Sequence, residues 1–150
     1  MQSRPRRVLL VTNWVGWGGA ETQLDYLAIG LAEAGYSVRL LAIGELLRDT
    51  AHIEAAGVAV EALDAVDRGA KERRFPRMAR AARWADLVHC TGWDATLWGR
   101  MAAILARREA PLAEIEQVVP DRPSARLLAA TALYEAGRAE DAESWFRHVL

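Results

Sequence analysis

The stretch Val8-Leu9-Leu10-Val11, running on through Asn13-Trp14-Val15-Gly16-Trp17-Gly18-Gly19-Ala20-Glu21, decides how the rest of the chain is read. Four consecutive apolar residues predict a strand buried on both faces. The glycine-rich turn that stops it opens a helix with Leu24, Leu27, Ala28 and Leu31 at helical spacing. Gly18 and Gly19 carry no Cβ, so the backbone can take positive φ there and approach a ligand closely. The helix, read from Ala20 to about Ala34, aims its free N–H groups and partial positive charge into the same space, which suits an anion. A dinucleotide fingerprint beginning at Gly16 requires glycine at position 21, where this chain has Glu21. A carboxylate in the first helical turn repels a pyrophosphate and suits hydroxyl groups better. The competing reading makes Gly18 and Gly19 a tight strand-to-helix turn and Glu21 a complement to the helix dipole.

Gly35 closes that helix, and Val38-Arg39-Leu40-Leu41-Ala42-Ile43 predicts a second strand. A strand–helix–strand unit of this kind is parallel and right-handed, with ligands beyond the carboxyl ends of its strands. Asp49 to Ala56 predicts a short helix ended by Gly57, and Val58 to Leu63 a third strand near an edge. Asp64 to Glu72 reads as a polar loop on the ligand side, its Asp64 and Asp67 solvated. Arg73 to Ala85 predicts an amphipathic helix with Arg73, Arg77 and Arg80 on one stripe and Phe75, Met78, Ala79 and Ala82 opposite. A fourth strand, Leu87 to Cys90, emerges at Thr91-Gly92. A helix follows from Ala95 to Arg108, with Leu97, Met101, Ile104 and Leu105 as its core face.

Gly18-Gly19-Ala20-Glu21, with Leu27-Ala28, Gly30-Leu31-Ala32 and Ala34-Gly35-Tyr36-Ser37-Val38, resembles the start of the group 1 glycosyltransferases, retaining enzymes with two Rossmann-like domains (GT-B). Gly57-Val58-Ala59-Val60 is similar to the third strand of that family. Asp86-Leu87-Val88-His89 is similar to the family's Asp-[Val/Ile]-[Val/Ile]-His-x-His, with Thr91 in place of the second His. The resemblance covers about Arg7 to Arg108 and only the first of the two domains, the one that binds mainly the acceptor. It implies transfer from a nucleotide sugar, as substrate and with no cofactor or obligatory metal, to a glycan or lipid-linked acceptor. Gly16, Gly18, Gly19, Glu21, His89, Thr91 and Trp93 are the substrate-binding candidates, the catalytic residues being unassigned. His89, inside an apolar strand, reads equally well as a core histidine. Trp14, Trp17 and Trp93 fall in ligand-side loops, where three indoles either stack on sugar faces or pack the loops onto the sheet. The resemblance also implies that Arg73, Arg77 and Arg80 touch an anionic membrane surface; the plainer reading is a solvated helix.

Beyond Arg107-Arg108-Glu109-Ala110-Pro111 no strand pattern remains. Ser124 to Glu135, turned at Gly137 into Ala139 to Val149, predicts a helical hairpin that resembles one tetratricopeptide repeat through Gly137, Ala142 and Phe146. Leu112, Ile115, Val118 and Val119 are candidates for the helix before it. One such repeat cannot bury its own faces, so it must pack on the sheet, join another chain or be a remnant of something longer. Glu135 and Glu143 read as solvated faces of two helices. The fold expected is α/β, a Rossmann-like parallel sheet of about four strands flanked by helices with a C-terminal helical hairpin, divided as 1–108 and 109–150. The competing functional reading is a noncatalytic interaction module whose hairpin contacts a protein partner.

At 150 residues and 52% hydrophobic, the chain supports one core and an appendage, short of two Rossmann domains. Nineteen Lys and Arg against twenty Asp and Glu give no bulk charge to recruit nucleic acid. The single Cys90 excludes an internal disulfide and fits a reducing, cytoplasmic setting, with the inner membrane face as the site of any peripheral contact. Met1 to Arg7 is basic, and the apolar run behind it is too short for a signal or spanning segment. No nucleophile triad, Walker loop or zinc-ligand spacing occurs.

Overall fold

The computed structural model describes residues 6–106, 129–131, 133–134 and 137–147. Four strands form one parallel sheet: β1 (Arg7–Thr12), β2 (Ser37–Ala42), β3 (Ala59–Ala62) and β4 (Leu87–Thr91), in the order β3-β2-β1-β4. Helices α1 (Gly19–Glu33), α2 (Ala51–Glu54) and α3 (Arg68–Trp84) connect them. A π-helical turn, Ala95–Gly99, leads into α4 (Arg100–Ala106), and α5 is Ala139–Arg147. This is the expected α/β Rossmann-like architecture, with β3 at the sheet edge.

β1 is central because both its faces are apolar. Val8 and Leu10 pack with Leu24 and Ala28 of α1, Val38 and Leu40 of β2, and Ile53 of α2. Leu9 and Val11 face the other way, onto Phe75, Met78 and Ala82 of α3 and Trp98, Met101 and Leu105 after β4. The helices therefore cover both faces, and burial of these side chains contributes about 1.5–3 kcal/mol apiece. On the second face the Phe75 and Trp98 rings meet at 6.1 Å and 58°. Ala129, Ala130, Leu133 and Ala142 belong to that same cluster, so these C-terminal residues pack into the core that α3 and α4 share with this face.

Helix ends follow their local chemistry. α1 closes with Gly35 at φ 88°, its N–H donating to Ala32 O and that of Tyr36 to Leu31 O, a left-handed glycine cap. Gly137, at φ 80°, repeats the arrangement, the N–H of Arg138 reaching Leu133 O. The stripe expected on α3 is present, with Phe75, Met78, Ala79 and Ala82 buried and Arg73, Arg77 and Arg80 exposed.

Two expectations are corrected. The loop read over Asp64 to Glu72 ends early, because Asp67 caps α3 by accepting from Ala70 N at 2.7 Å and the helix starts at Arg68. The single helix read from Ala95 begins instead as a π turn, whose extra residue rotates Leu97 out to solvent and brings Trp98 into the core. The positive φ open to Gly18 and Gly19 goes unused: Gly18 has φ 168°, extended backbone open to any residue, and Gly19 has no positive φ either. The break at Arg107 to Pro111, the start of the Ser124 helix, Glu135, Leu112, Ile115, Val118 and Val119 lie outside the described residues. Glu143 is exposed and paired with Arg147 at 2.5 Å.

Register places Thr12 beside Ala42 and Thr91, and Ala42 beside Ala62, so all four strands end on one edge. At the opposite edge Asp86 clips β4 to β1. Its carboxylate accepts from the N–H groups of Arg6 and Arg7 at 3.0 Å each and from the Arg7 guanidinium at 2.8 Å. The guanidinium first, then the two amides, hold this carboxyl well below the usual range.

Candidate functional site

Past β3 the chain crosses back over the sheet so that β4 pairs with β1. The connections after β1 and β4 then leave toward opposite faces, α1 against one core cluster and α4 against the other. A sheet of this order has its crevice at that switch point, beyond the carboxyl ends.

Asn13 holds the crevice together. Its carbonyl accepts from Gly44 N at 2.7 Å, and its side-chain Oδ1 accepts from Ala95 N at 2.8 Å, so one residue ties the ends of β1, β2 and β4. Glycine is required beside it. A Cβ at Gly44 would lie 3.0 Å from Asn13 O, and one at Gly92 would lie 2.8 Å from the Asn13 side chain, at a backbone φ of 98°. The next residues run alongside the chain after β2: Val15 N donates to Glu45 O at 3.2 Å, and Leu47 N to Val15 O at 2.8 Å. Arg48 Nε donates to Gly16 O at 2.6 Å, and its Nη2 pairs with Asp25 of α1.

Between these turns lies a recess of about 200 Å³, lined by Asn13, Trp14, Glu45, Leu47, Lys71 and Asp94 above a floor of Ile43, Gly44, Ala65 and Val66. Lys71 Nζ donates to Asp94 Oδ2 at 2.7 Å, joining the first turn of α3 to the loop after β4. At that volume the recess falls below the ~300–1,000 Å³ of pockets that hold drug-sized ligands. Its exposed lining is mostly apolar; the polar groups beside it are the Asn13 amide, the Glu45 carboxylate and the Lys71–Asp94 pair.

The seven residues singled out from sequence are distributed around this recess, and none is among its described lining. Gly16 is buried under Arg48. Gly18 and Gly19 stand exposed at the start of α1, where a Cβ on Gly18 would run into the Glu21 carboxylate. That carboxylate folds back over the helix N-terminus, which disfavours an anion there. His89 is exposed, because β4 is an edge strand, and its Nε2 lies 3.2 Å from Thr91 Oγ1. Trp93 is 84% exposed and Trp17 79%, so of the three loop indoles Trp14 alone lines the recess. Sequence reading passed over Asn13, Arg48, Lys71 and Asp94. Asn13, a polar residue directly after the strand that carries the Val8–Val11 run, held a usable signal; Lys71 and Asp94 are 23 positions apart and carried none.

Cys90 lies under the π turn, where a Cβ on Gly99 would come 2.7 Å from its Sγ. Burial pushes its thiol up to about 11, which leaves little of the reactive thiolate at neutral pH. Among the described residues no three His, Cys, Asp or Glu side chains gather where they could hold a metal ion. Nor is any described helix long and apolar enough to cross a membrane.

No curated protein and no solved structure matches the chain. The family comparison does match, with the glycosyl transferase 4-like domain, and its residues 18–147 span α1, the strands β2 to β4 and α5. A parallel sheet in the order β3-β2-β1-β4, a crevice at its switch point and a family match over most of its length lead to one conclusion: this chain belongs to the glycosyl transferase 4-like domain family.

Proposed function

We propose that the recess at the carboxyl edge receives a sugar ring of a glycan or lipid-linked acceptor, for retaining transfer from a nucleotide sugar in a GT-B arrangement. The observation that carries this reading is the pair of glycine turns joined through Asn13 and opening on one recess with Lys71, Asp94 and Trp14 in its wall. Gly18, Gly19 and Glu21, backed by the buried Gly16, together with His89, Thr91 and Trp93, are assigned to the parts of the substrates beyond that ring. These 150 residues taken alone are assigned binding without turnover, as the resemblance to the first of the two GT-B domains implies. The test is quenching of tryptophan emission by oligosaccharides and by UDP- or GDP-sugars. Saturable quenching by oligosaccharide that Lys71→Ala weakens supports the reading. Absence of any quenching removes it, and steady transfer or hydrolysis by the isolated chain removes the claim of inactivity.

A cytoplasmic protein touching the inner membrane face through α3 belongs to the same proposal. Arg77 is engaged by Glu61, so this contact rests chiefly on Arg73 and Arg80. Co-sedimentation with anionic vesicles at low salt tests it, and no binding there eliminates it. The second reading is a noncatalytic module that binds a protein through the tetratricopeptide-like hairpin of its tail, residues 109–150. Tyr134, 65% exposed on that hairpin, favours it. Capture of a protein partner by a chain without sugar affinity would establish it.

A further inference from the structure

Arg48 lies outside the recess but reaches the loop that forms its rim. It follows β2 and its side chain is largely buried, as is that of Asp25, whose residue is 8% exposed in the second turn of α1. A buried aspartate and a buried arginine are costly to desolvate and persist where each satisfies the other and a further group is held. That further group is the loop. Arg48 Nε donates to Gly16 O at 2.6 Å while Nη2 is paired with Asp25, so one planar guanidinium spans the loop and the helix. His52 Nε2 lies 3.2 Å from the same Asp25 oxygen. A carboxylate only accepts, so Nε2 carries the proton and donates to Asp25, and the 3.5 Å approach of Arg48 Nη1 to it is a contact between two donors.

We propose that Arg48 is a positioning residue: held by Asp25, it fixes the Gly16 carbonyl and with it the conformation of loop 13–18 that leads into the exposed Gly18 and Gly19 amides. The importance of that conformation for a ligand rests on the acceptor-site reading above; the clamp itself does not. Lysine cannot replace this arginine, because a single ammonium does not present two donors in the fixed fan that reaches both partners.

The full 150-residue chain carries its own reporters. Val15 N–H and Leu47 N–H, bonded to Glu45 O and Val15 O, are protected only while the loop lies against the chain after β2. Sheet amides such as that of Leu40 report global stability instead. Hydrogen exchange in Arg48→Ala and Arg48→Lys is expected to speed up at least tenfold at Val15 and Leu47 with the sheet amides unchanged, and Asp25→Asn to do so to a smaller degree. Oligosaccharide affinity, read by tryptophan quenching, is expected to fall about as much. Unchanged protection at Val15 and Leu47 overturns the proposal, as does a uniform loss across the sheet. Loosened amides with full oligosaccharide affinity overturn the positioning role. Should Arg48→Ala not fold, Arg48→Lys, which keeps a charge beside Asp25, decides by the same amides; failure of both to fold overturns the proposal, since Arg48 would then serve the whole fold. If the wild-type chain binds no oligosaccharide, the acceptor reading fails and the amide exchange alone decides the clamp.

Discussion

Two glycine turns leave neighbouring strands at the same edge, one after β1 through Gly16, Gly18 and Gly19, the other after β4 through Gly92. After β1 the backbone stays extended at Gly18, and the loop is held from outside by the guanidinium of Arg48 and by pairing with the chain after β2. After β4 the backbone is left-handed at Gly92, pressed against the Asn13 side chain, and the helix that follows starts with a π turn whose Gly99 sits on Cys90. Gly18 and Gly19 stand exposed in the first turn, whereas Gly92 and Gly99 are closely packed in the second. The same residue type at equivalent places thus answers to different forces, so substitutions should separate them.

The largest effect is expected at Gly92→Ala. Left-handed backbone costs a residue with a Cβ about 1–2 kcal/mol, and crowding a filled site costs about 1–3 kcal/mol more. Together they predict a loss of about 2–5 kcal/mol in urea unfolding, and an unchanged midpoint would erase the distinction between the turns.

Cys90, on the packed side of the comparison, is next. With its thiol held at about 11 by burial, alkylation at pH 8 should run on the order of a hundredfold slower than for free cysteine. The folded thiol titrates above the unfolded one, so its contribution to stability is complete below the ordinary thiol range near ~8.5 and drains away as pH climbs toward about 11. Cys90→Ala should flatten that alkaline decline, and a thiol as quick as a free one would show that the π turn does not seal it.

Asn13→Ala strips the tie between the two turns, leaving Ala95 N–H without its acceptor, and should cost about 1–3 kcal/mol. Asn13→Asp, which retains an acceptor, should cost less; if the two are equally damaging, the hydrogen bond to Ala95 is not what joins them. The smallest effect belongs to Gly18→Ala. Its φ of 168° suits any residue, and the group in the way is the end of the flexible Glu21 side chain, so a change within about 0.5 kcal/mol is expected by thermal melting. A large loss there would mean that the first turn is packed like the second.

How much could be read in advance differs between these turns for a physical reason. Val8 to Val11, the Leu24 and Ala28 spacing, and Gly35 and Gly57 as helix stops were legible because periodicity and left-handed caps act over a few residues. Whether Gly18 uses positive φ was not legible, because glycine permits that conformation without requiring it, and here the backbone is extended. Leu97 turned outward because a π turn, set by the fit of Gly99 on Cys90, shifted the helical register by a residue that periodicity does not foresee. Asp67 could have marked the start of α3, being an aspartate three residues before the N–H it accepts.

The sequence by itself determined four apolar strands, the helices between them and two glycine turns on one edge, since each follows from neighbours along the chain. Only the tertiary structure decided what lies between those turns. Asn13 and Ala95 are 82 positions apart, and Gly16 and Arg48 32; each pair meets because β4 returns to β1 and the chain after β2 folds alongside loop 13–18. Polar contacts of that range arise once burial of the two apolar faces has fixed the order of the strands, and no local pattern encodes them.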